Sequence, residues 1–189
     1  LLEEIGLSYE PVLVSFAEAE QTKPEYLAIN PKGRVPALVT DDGILTETGA
    51  ILEFIAAQAP ENGFVPADPW AAAQMRAATY YLAATFHVNH AHKARGARWA
   101  TQQSSFEDMT AKVPETMGQS CFFFEENCAL APFVIGETMT VADPWLFTIS
   151  TWLEGDGVDI RDYPRLAAHF DMMMARPSVT AVRRMGLLR

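Results

Sequence analysis

The segment from residue 60 to residue 69, Pro-Glu-Asn-Gly-Phe-Val-Pro-Ala-Asp-Pro, most constrains how this chain of 189 residues can fold. A helix cannot continue through it, because proline lacks a backbone N–H donor and its ring clashes with the preceding turn. The hydrophobic pattern also differs on the two sides of the segment. We therefore predict a linker over residues 61–69, which joins a unit over residues 1–60 to a unit over residues 70–189.

The first unit has the pattern of a mixed α/β structure, in which short apolar runs alternate with turn residues. In chain order the pattern predicts a buried strand at residues 12–14, a helical turn at 24–29, a strand at 36–40, a hairpin turn at 41–43, a returning strand at 44–45 and a helix at 47–59. Ile51, Leu52 and Ile55 share one face of that helix.

The first seven residues resemble the last turns of an amphipathic helix that ends at Gly6. The chain does not begin with Met, so we expect further residues to precede Leu1.

The second unit has helical periodicity throughout, so we expect it to be all-α. The predicted helices run from residue 70 to about 100, from 106 to about 130, from 141 to 153, from 164 to 175 and from 178 to 185. The third of them places Ala142, Trp145, Leu146, Ile149 and Leu153 on one face.

Charge and composition exclude several classes of function. The formal net charge of −10 argues against nucleic acid or an anionic membrane surface as the main partner, because both require a positive field. The sequence has no apolar run long enough to predict a membrane-spanning helix. Only Cys121 and Cys128 occur, and we interpret both as small core residues in a reducing, cytoplasmic environment.

Val35 and Pro36 lie at the start of a predicted strand. A proline there removes a hydrogen-bond donor from the ladder, so it must lie at an edge or at the mouth of the sheet. The backbone N–H and C=O of Val35 are then free to pair with an extended ligand, as if the ligand were another strand. The alternative is a plain trans proline at a sheet edge, which is the commoner form of X-Pro bonds.

The sequence Thr46-Glu47-Thr48-Gly49 begins the next predicted helix. In one interpretation, Thr46 or Thr48 is only the N-cap residue. In the other, the exposed N–H groups, the helix dipole and a threonine hydroxyl together bind a carboxylate, while Glu47 accepts a hydrogen bond from an ammonium group.

Thr140 and Asp143 have the spacing of a capping box at the start of the helix from residue 141. We interpret them as structural N-cap residues that have no part in chemistry.

His87, His90 and His92 raise the question of a metal site. On a helix His87 and His90 are neighbours, but His92 points away from both and no carboxylate has a suitable spacing, so no metal is predicted. We expect His87, His90 and Arg98 to line one face of the long helix as polar cleft residues. A solvated basic patch remains the alternative for His92, Lys93 and Arg95.

Four motifs in this order resemble the cytosolic glutathione transferases, and the resemblance extends over essentially the whole chain. They are Asn30-Pro-Lys-Gly-Arg-Val-Pro-Ala-Leu38, Thr46-Glu-Thr-Gly-Ala-Ile51, Thr140-Val-Ala-Asp143 and Ala175-Arg-Pro-Ser-Val179. The bacterial beta-like members are the most similar class, because residues 82–87, Leu-Ala-Ala-Thr-Phe-His, resemble the segment in which that class has a cleft histidine. Val88 departs from the pattern, since a basic residue is common at that position.

The resemblance implies a thioredoxin-like α/β N-terminal domain, here lacking its first strand, and an all-α C-terminal domain. It implies a cis peptide bond before Pro36, and glutathione as co-substrate, held by Val35, Pro36, Glu47 and Thr48. It also implies a homodimer without a metal. A small hydrophobic electrophile would lie against the long helix from Trp70, where His90 and Arg98 are candidate pocket residues.

The main thiol-activating residue, a Cys, Ser or Tyr in this family, is expected upstream of Leu1. Within the chain, His87 is the candidate catalytic residue, acting as a hydrogen-bond donor or as a charge near the thiolate. The predicted function is conjugation of the glutathione thiolate to small electrophiles. Glutathione-dependent thiol/disulfide exchange and a catalytically silent binding module remain alternatives, and isomerase or dehalogenase chemistry on the same scaffold is open.

Overall fold

The computed structural model describes residues 1–188, which form a small α/β unit followed by a larger helical unit. In chain order the elements are α1 (Leu2–Ile5), α2 (Pro24–Leu27), β1 (Ala37–Thr40), β2 (Gly43–Thr46), α3 (Thr48–Ala56), α4 (Pro69–Tyr81), a π-helical turn (Leu82–Phe86), α5 (His87–Ala91), α6 (Gln103–Asn127), α7 (Ala142–Ser150), α8 (Pro164–Met174) and α9 (Pro177–Arg184).

The predicted hairpin is confirmed. Strands β1 and β2 pair in antiparallel register from Ala37 opposite Thr46 to Thr40 opposite Gly43, so Asp41 and Asp42 form a two-residue turn. Gly43 has a φ of 133°, a backbone conformation that residues other than glycine rarely adopt. Within residues 1–188 the sheet consists of these two strands.

The prediction of a buried strand at residues 12–14 is wrong. This segment has no regular structure, and the side chains of Val12 and Leu13 are 79% and 72% exposed. A strand is stable only when its backbone pairs with a neighbour, and no strand in residues 1–188 pairs with this segment. Local apolar composition cannot reveal that absence.

The helical turns at the start of the chain agree with the sequence pattern. α1 ends at Gly6, whose left-handed backbone (φ 69°) closes the helix, and α2 begins with Pro24. α3 begins at Thr48, one residue later than predicted, and ends at Ala56. Its buried residues include Ile51 and Ile55, so the predicted apolar face does pack inward.

The proline-rich segment between the units contains one 3-10 turn, Pro60–Asn62, and then irregular chain up to Pro69. Asp68 caps α4, because its carboxylate accepts a hydrogen bond of 2.8 Å from the Ala71 N–H. Arg76 of α4 also holds Glu53 of α3 through two hydrogen bonds, which ties the two units together. The linker over residues 61–69, as a domain boundary, stays a prediction.

The long helix ends earlier than predicted. Continuous helical structure runs from Pro69 to Ala91 instead of to about residue 100, and it includes a π-helical turn immediately before His87. The chain then turns through a 3-10 segment, Gly96–Arg98. Gly96 is buried against Phe106, where a Cβ would lie 2.8 Å from a ring carbon, so the close approach of α6 requires glycine at this turn.

The hydrophobic core lies in the helical unit, between α4, the π-helical turn, α6, α7 and α8. Its largest fully buried side chains include Phe86, Phe124, Met117, Leu146 and Leu166. The predicted apolar face of α7 is buried throughout, from Ala142 to Leu153 beyond its end. Among the helices of residues 1–188, none combines the length and the hydropathy that a membrane span requires.

Asp143 joins three elements in this core. One carboxylate oxygen accepts hydrogen bonds from the Thr140 N–H (2.7 Å) and the Thr140 hydroxyl (3.0 Å), and the other accepts from the Val134 N–H (2.8 Å). The second oxygen also lies 3.0 Å from Nε2 of His169 on α8. This pattern is that of a buried structural network, since every oxygen of the carboxylate has a partner.

Candidate functional site

One large cavity, of about 950 Å³, opens between the α/β unit and the helical unit. It is lined by all seven residues that the sequence proposes for ligand contact: Val35, Pro36, Glu47, Thr48, His87, His90 and Arg98. These residues come from two units and from segments far apart in sequence. The structure therefore brings the predicted polar groups together in a single cleft, whereas Thr140 and Asp143 lie in the core away from it.

The backbone of Val35 faces the cavity beside a cis peptide bond to Pro36, as the family resemblance implies. The preceding carbonyl, of Arg34, is held by Asn30 Nδ2 (2.6 Å) and by the Tyr26 hydroxyl (2.7 Å). Among residues 1–188, neither the N–H nor the C=O of Val35 has a hydrogen-bond partner. The segment thus presents one free donor and one free acceptor on an orientated backbone.

The N-terminus of α3 is the second polar wall. Thr48, Gly49 and Ala50 line the cavity, and within residues 1–188 their N–H groups have no acceptor. Neither Thr46 nor Thr48 acts as a side-chain N-cap, because the cap position is Glu47 and no side chain accepts there. Uncapped N–H groups and the helix dipole make this end suitable for an anion.

Glu47 has an unusual backbone, with φ 77° and ψ 120°. A positive φ costs a non-glycine residue roughly 1–3 kcal/mol, and such strain concentrates at ligand-binding sites. Its carboxylate accepts a hydrogen bond from the Lys32 ammonium, which also donates to the Thr46 hydroxyl at 2.8 Å. Glu47 was expected to accept from an ammonium group, and in this structure Lys32 of the same chain fills that position.

Gly49 allows α3 to approach the helical unit closely. A Cβ at this position would lie 3.3 Å from a ring carbon of Trp145 on α7, which is tighter than ordinary contact. The indole of Trp145 therefore fixes the distance between α3 and the helical wall of the cavity.

His87 is the first residue after the π-helical turn, and its ring centroid lies 5.3 Å from that of Trp152. Such turns occur frequently at functional sites, because one added residue changes which side chains face a cleft. Burial, followed by the positive charges of Arg95, His90, Arg98 and Arg34, lowers the pKa of His87 to about 4. The ring is therefore uncharged at neutral pH, so it can exchange a hydrogen bond but supplies no positive charge.

His90 lies one turn further along and is held firmly. Its Nδ1 is 2.6 Å from Asp156 Oδ2, and the other oxygen of Asp156 accepts from Lys93 Nζ at 3.2 Å. Its ring packs against that of Trp152 in a tilted arrangement, with centroids 4.4 Å apart. This orientation is set by a fully buried carboxylate on the loop after α7, which local helix geometry could not predict.

Arg98 lies in the 3-10 turn after the long helix, so the prediction that it continues the helical face of His87 is wrong. It still lines the cavity, because the chain folds back at Gly96. Arg95 lines the cavity too and is half-buried, which argues against the alternative of a solvated patch for this residue. Lys93 pairs with Asp156. The ring of His92 lies edge-on to that of Trp99, with ring centroids 4.5 Å apart.

Several cavity residues were missed by sequence reasoning. The main ones are Phe16, Arg34, Trp99, Trp145 and Trp152. Arg34 could have been found from its position immediately before Val35. The aromatic residues had no such signal, because only the packing of the helices decides which of them face the cleft.

The placement of possible metal ligands and of the two cysteines of the chain bears on the chemistry open to this cavity. Within residues 1–188 no group of three or more His, Cys, Asp or Glu side chains could hold a metal ion. Cys121 is buried on α6, Cys128 follows the end of that helix, and both thiols are free. Neither lines the cavity.

Known proteins resemble the chain over both units. Residues 1–57 match the family model described as glutathione S-transferase, N-terminal domain, and residues 83–177 match that described as glutathione S-transferase, C-terminal domain. A glutathione S-transferase, GST-4.5, from Xanthomonas campestris pv. campestris is 32% identical over 169 residues, covering 86% of this chain and 80% of that protein.

Solved structures of other proteins share this fold. The crystal structure of a glutathione transferase homologue from Sulfitobacter, with bound glutathione, is 60% identical with a TM-score of 0.97 and covers 99% of this chain and 90% of that chain. The structure of the beta-class glutathione S-transferase from Sphingomonas chungbukensis is 27% identical with a TM-score of 0.83. The match covers 98% of this chain and 91% of that chain. The predicted thioredoxin-like α/β unit followed by an all-α unit is confirmed.

Proposed function

The chain belongs to the glutathione S-transferase family, and from that premise we propose that it binds glutathione in the cavity and conjugates the thiolate to a small hydrophobic electrophile. The observation that carries the proposal is the convergence of all seven candidate residues, from both units, on one cleft. A glutathione-bound homologue at 60% identity supports glutathione as the co-substrate.

Glutathione is an extended tripeptide with a carboxylate at each end, and the cavity offers matching groups. The free N–H and C=O of Val35 pair with the backbone of its cysteinyl residue, as an added strand would. The N–H groups at the start of α3 and the Thr48 hydroxyl bind the γ-glutamyl carboxylate. Glu47 accepts from the γ-glutamyl ammonium, which then replaces Lys32 as its partner.

The reaction begins with loss of the thiol proton to solvent. The Arg34 guanidinium, which lines the cavity next to Val35, contributes a positive potential that lowers the pKa of a bound thiol and so favours the thiolate. The neutral ring of His87 donates a hydrogen bond to the sulfur. The sulfur lone pair then forms a bond to an electrophilic carbon, and the leaving group departs with its bonding electrons.

We also propose that the protein is a cytoplasmic homodimer. Trp70 of α4 is 72% exposed and does not line the cavity, so its indole is available for contact with another subunit. The two free thiols fit a reducing compartment.

Calorimetric titration of glutathione into the full-length protein tests the binding step. We expect a dissociation constant in the micromolar to millimolar range. No heat at two temperatures, which excludes an accidental zero enthalpy, would contradict the proposal. Turnover of 1-chloro-2,4-dinitrobenzene then tests catalysis. Binding without turnover would favour a silent module, and reduction of a glutathione mixed disulfide would favour thiol exchange.

A further inference from the structure

The charges that line the cavity are not balanced within the protein. The two carboxylates that line the cavity already have cationic partners, since Glu47 pairs with Lys32 and Glu53 pairs with Arg76. The guanidinium groups of Arg34, Arg95 and Arg98, which also line the cavity, have no such partners in the described part of the chain. Among residues 1–188 none of the three forms a salt bridge or donates a side-chain hydrogen bond, although the chain has a net charge of −10.

These three side chains line the same cavity, so their positive charges repel one another there. Arg98 is exposed overall, but partial desolvation of its guanidinium lowers its pKa, and the charges of Arg34 and Arg95 lower it further. Arg95 is affected in the same way, first by burial and then by Arg34. Like charges gathered in a cleft without counterions raise the free energy of the empty site, and an anion bound there removes that cost.

The surroundings of this cationic cluster are flat and apolar. The guanidinium of Arg95 lies over the ring of Phe16, 5.6 Å from its centroid. Trp99 follows Arg98 directly and lines the same cavity, as does Trp152, which lies beside His87. Aromatic walls of this kind bind a planar apolar body, while guanidinium groups bind carboxylates through paired hydrogen bonds.

We propose that the electrophile taken by this cavity is a planar, conjugated molecule that bears a carboxylate, and that Arg95 and Arg98 bind this carboxylate. The proposal rests on the proposed function, because it assigns the second substrate of that same site. Arg34, which lines the same cavity, adds to the positive potential.

The position of the two arginines favours the electrophile over glutathione as their ligand. The groups that match glutathione belong to the first unit, at Val35 and at the start of α3. Arg95 and Arg98 belong to the helical unit, follow His87 in the chain and line the cavity together with Trp99. A ligand whose glutathione part is held by the first unit therefore meets these two arginines on the helical side of the cavity.

A matched pair of glutathione conjugates tests the inference without requiring turnover. S-(4-carboxy-2-nitrophenyl)glutathione and S-(4-carbamoyl-2-nitrophenyl)glutathione differ only in the charge at the far end of the ring. Both are titrated calorimetrically into the full-length protein, with glutathione itself as reference. We expect the carboxylate conjugate to bind about tenfold more tightly than the carboxamide, since a charged pair adds more than a neutral hydrogen bond.

Arg95→Gln and Arg98→Gln should each reduce this ratio several-fold, while the affinity for glutathione changes by less than about threefold. Lys112→Gln is the matched control, because it removes one positive charge from an exposed position on α6 that does not line the cavity. It should leave the ratio unchanged. Raising the salt concentration should lower the ratio in the unmodified protein.

Three outcomes would overturn the inference alone: equal affinity for the two conjugates, a ratio that survives both arginine substitutions, or an equal loss of affinity for glutathione and for the carboxylate conjugate. The last would assign the arginines to glutathione. If glutathione and both conjugates fail to bind, the proposed function fails as well, so the two failures are distinguishable.

Kinetics provide a second readout. With 4-chloro-3-nitrobenzoate, the thiolate sulfur bonds to the ring carbon that bears chlorine and chloride leaves. We expect kcat/KM, divided by the uncatalysed rate, to exceed that for 4-chloro-3-nitrobenzamide by about tenfold. A ratio near one would contradict the inference.

Discussion

The Nδ1 atom of His90 lies 2.6 Å from a carboxylate oxygen of Asp156, whose side chain is fully buried. The two residues are 66 positions apart, and the contact joins α5 to the loop that follows α7. Lys93 binds the other oxygen of the same carboxylate. One buried anion thus orients a cavity histidine and holds the end of the long helix to the helical core.

Asp156→Asn removes the negative charge while keeping the size of the side chain. We expect the free energy of unfolding to fall by about 1–3 kcal/mol, because Lys93 and His90 lose a charged acceptor. The KM for the electrophile should rise, because the ring of His90 is no longer held. Urea unfolding followed by tryptophan fluorescence measures the first effect, and steady-state kinetics measures the second.

Glu154→Gln is the control for that substitution, because Glu154 is an exposed carboxylate two residues away. It should change neither quantity. A fully stable Asp156→Asn protein would show that the carboxylate contributes nothing net to folding.

Thr48→Ala should weaken the binding of glutathione by about 1 kcal/mol, roughly fivefold in the dissociation constant, without unfolding the protein. The hydroxyl lines the cavity and caps no helix, so the change removes a ligand contact only. Calorimetry gives the affinity and thermal unfolding gives the stability. Thr180→Ala, exposed on α9, serves as control. Unchanged affinity in the Thr48 variant would count against this part of the site.

His87→Asn should lower kcat by about tenfold or more while changing glutathione affinity little, because the ring is proposed to contact the sulfur in the reaction step. Since burial and nearby arginines lower the pKa of His87 to about 4, its protonation should not appear in the pH dependence of kcat between about pH 6 and pH 8. An equal loss of affinity and of turnover would assign His87 to binding instead.

The same lowered pKa predicts how stability depends on pH. In the folded protein His87 titrates near pH 4, whereas its ordinary pKa is 6.5. Between these values the unfolded chain binds more protons, so the free energy of unfolding should fall as the pH decreases from 6.5 to about 4. Above 6.5 this contribution is constant. His87→Asn should flatten the slope in that window, measured by urea unfolding, and an unchanged slope would contradict the shift.

Cys121 and Cys128 should resist alkylation in the folded protein. Burial raises the pKa of the Cys121 thiol to about 12 and that of Cys128 to about 11, so neither forms much thiolate at mildly alkaline pH. Mass spectrometry after iodoacetamide treatment should show labelling only when denaturant is present. Rapid labelling of the native protein would instead make one of these residues available for thiol exchange.

Local features of this protein were readable from the sequence because they depend on neighbours along the chain. The alternation of residues 36–45 with Asp41-Asp42-Gly43 predicted the hairpin, and the periodicity of residues 141–153 predicted the buried face of α7. The motifs around Val35 and Thr48 also pointed to the cleft. Each of these signals depends on a few consecutive residues, and the local structure that it predicts is present in the folded protein.

Only the tertiary structure decided which segments pair and which side chains meet in the cavity. Residues 12–14 have the composition of a strand, yet no strand in residues 1–188 pairs with them. The partnership of His90 with Asp156, the uncharged state of His87 and the meeting of Arg34 with Arg95 and Arg98 all depend on segments distant in sequence. Electrostatic interactions and burial act through space, so their outcome is set by how the helices pack and not by local sequence pattern.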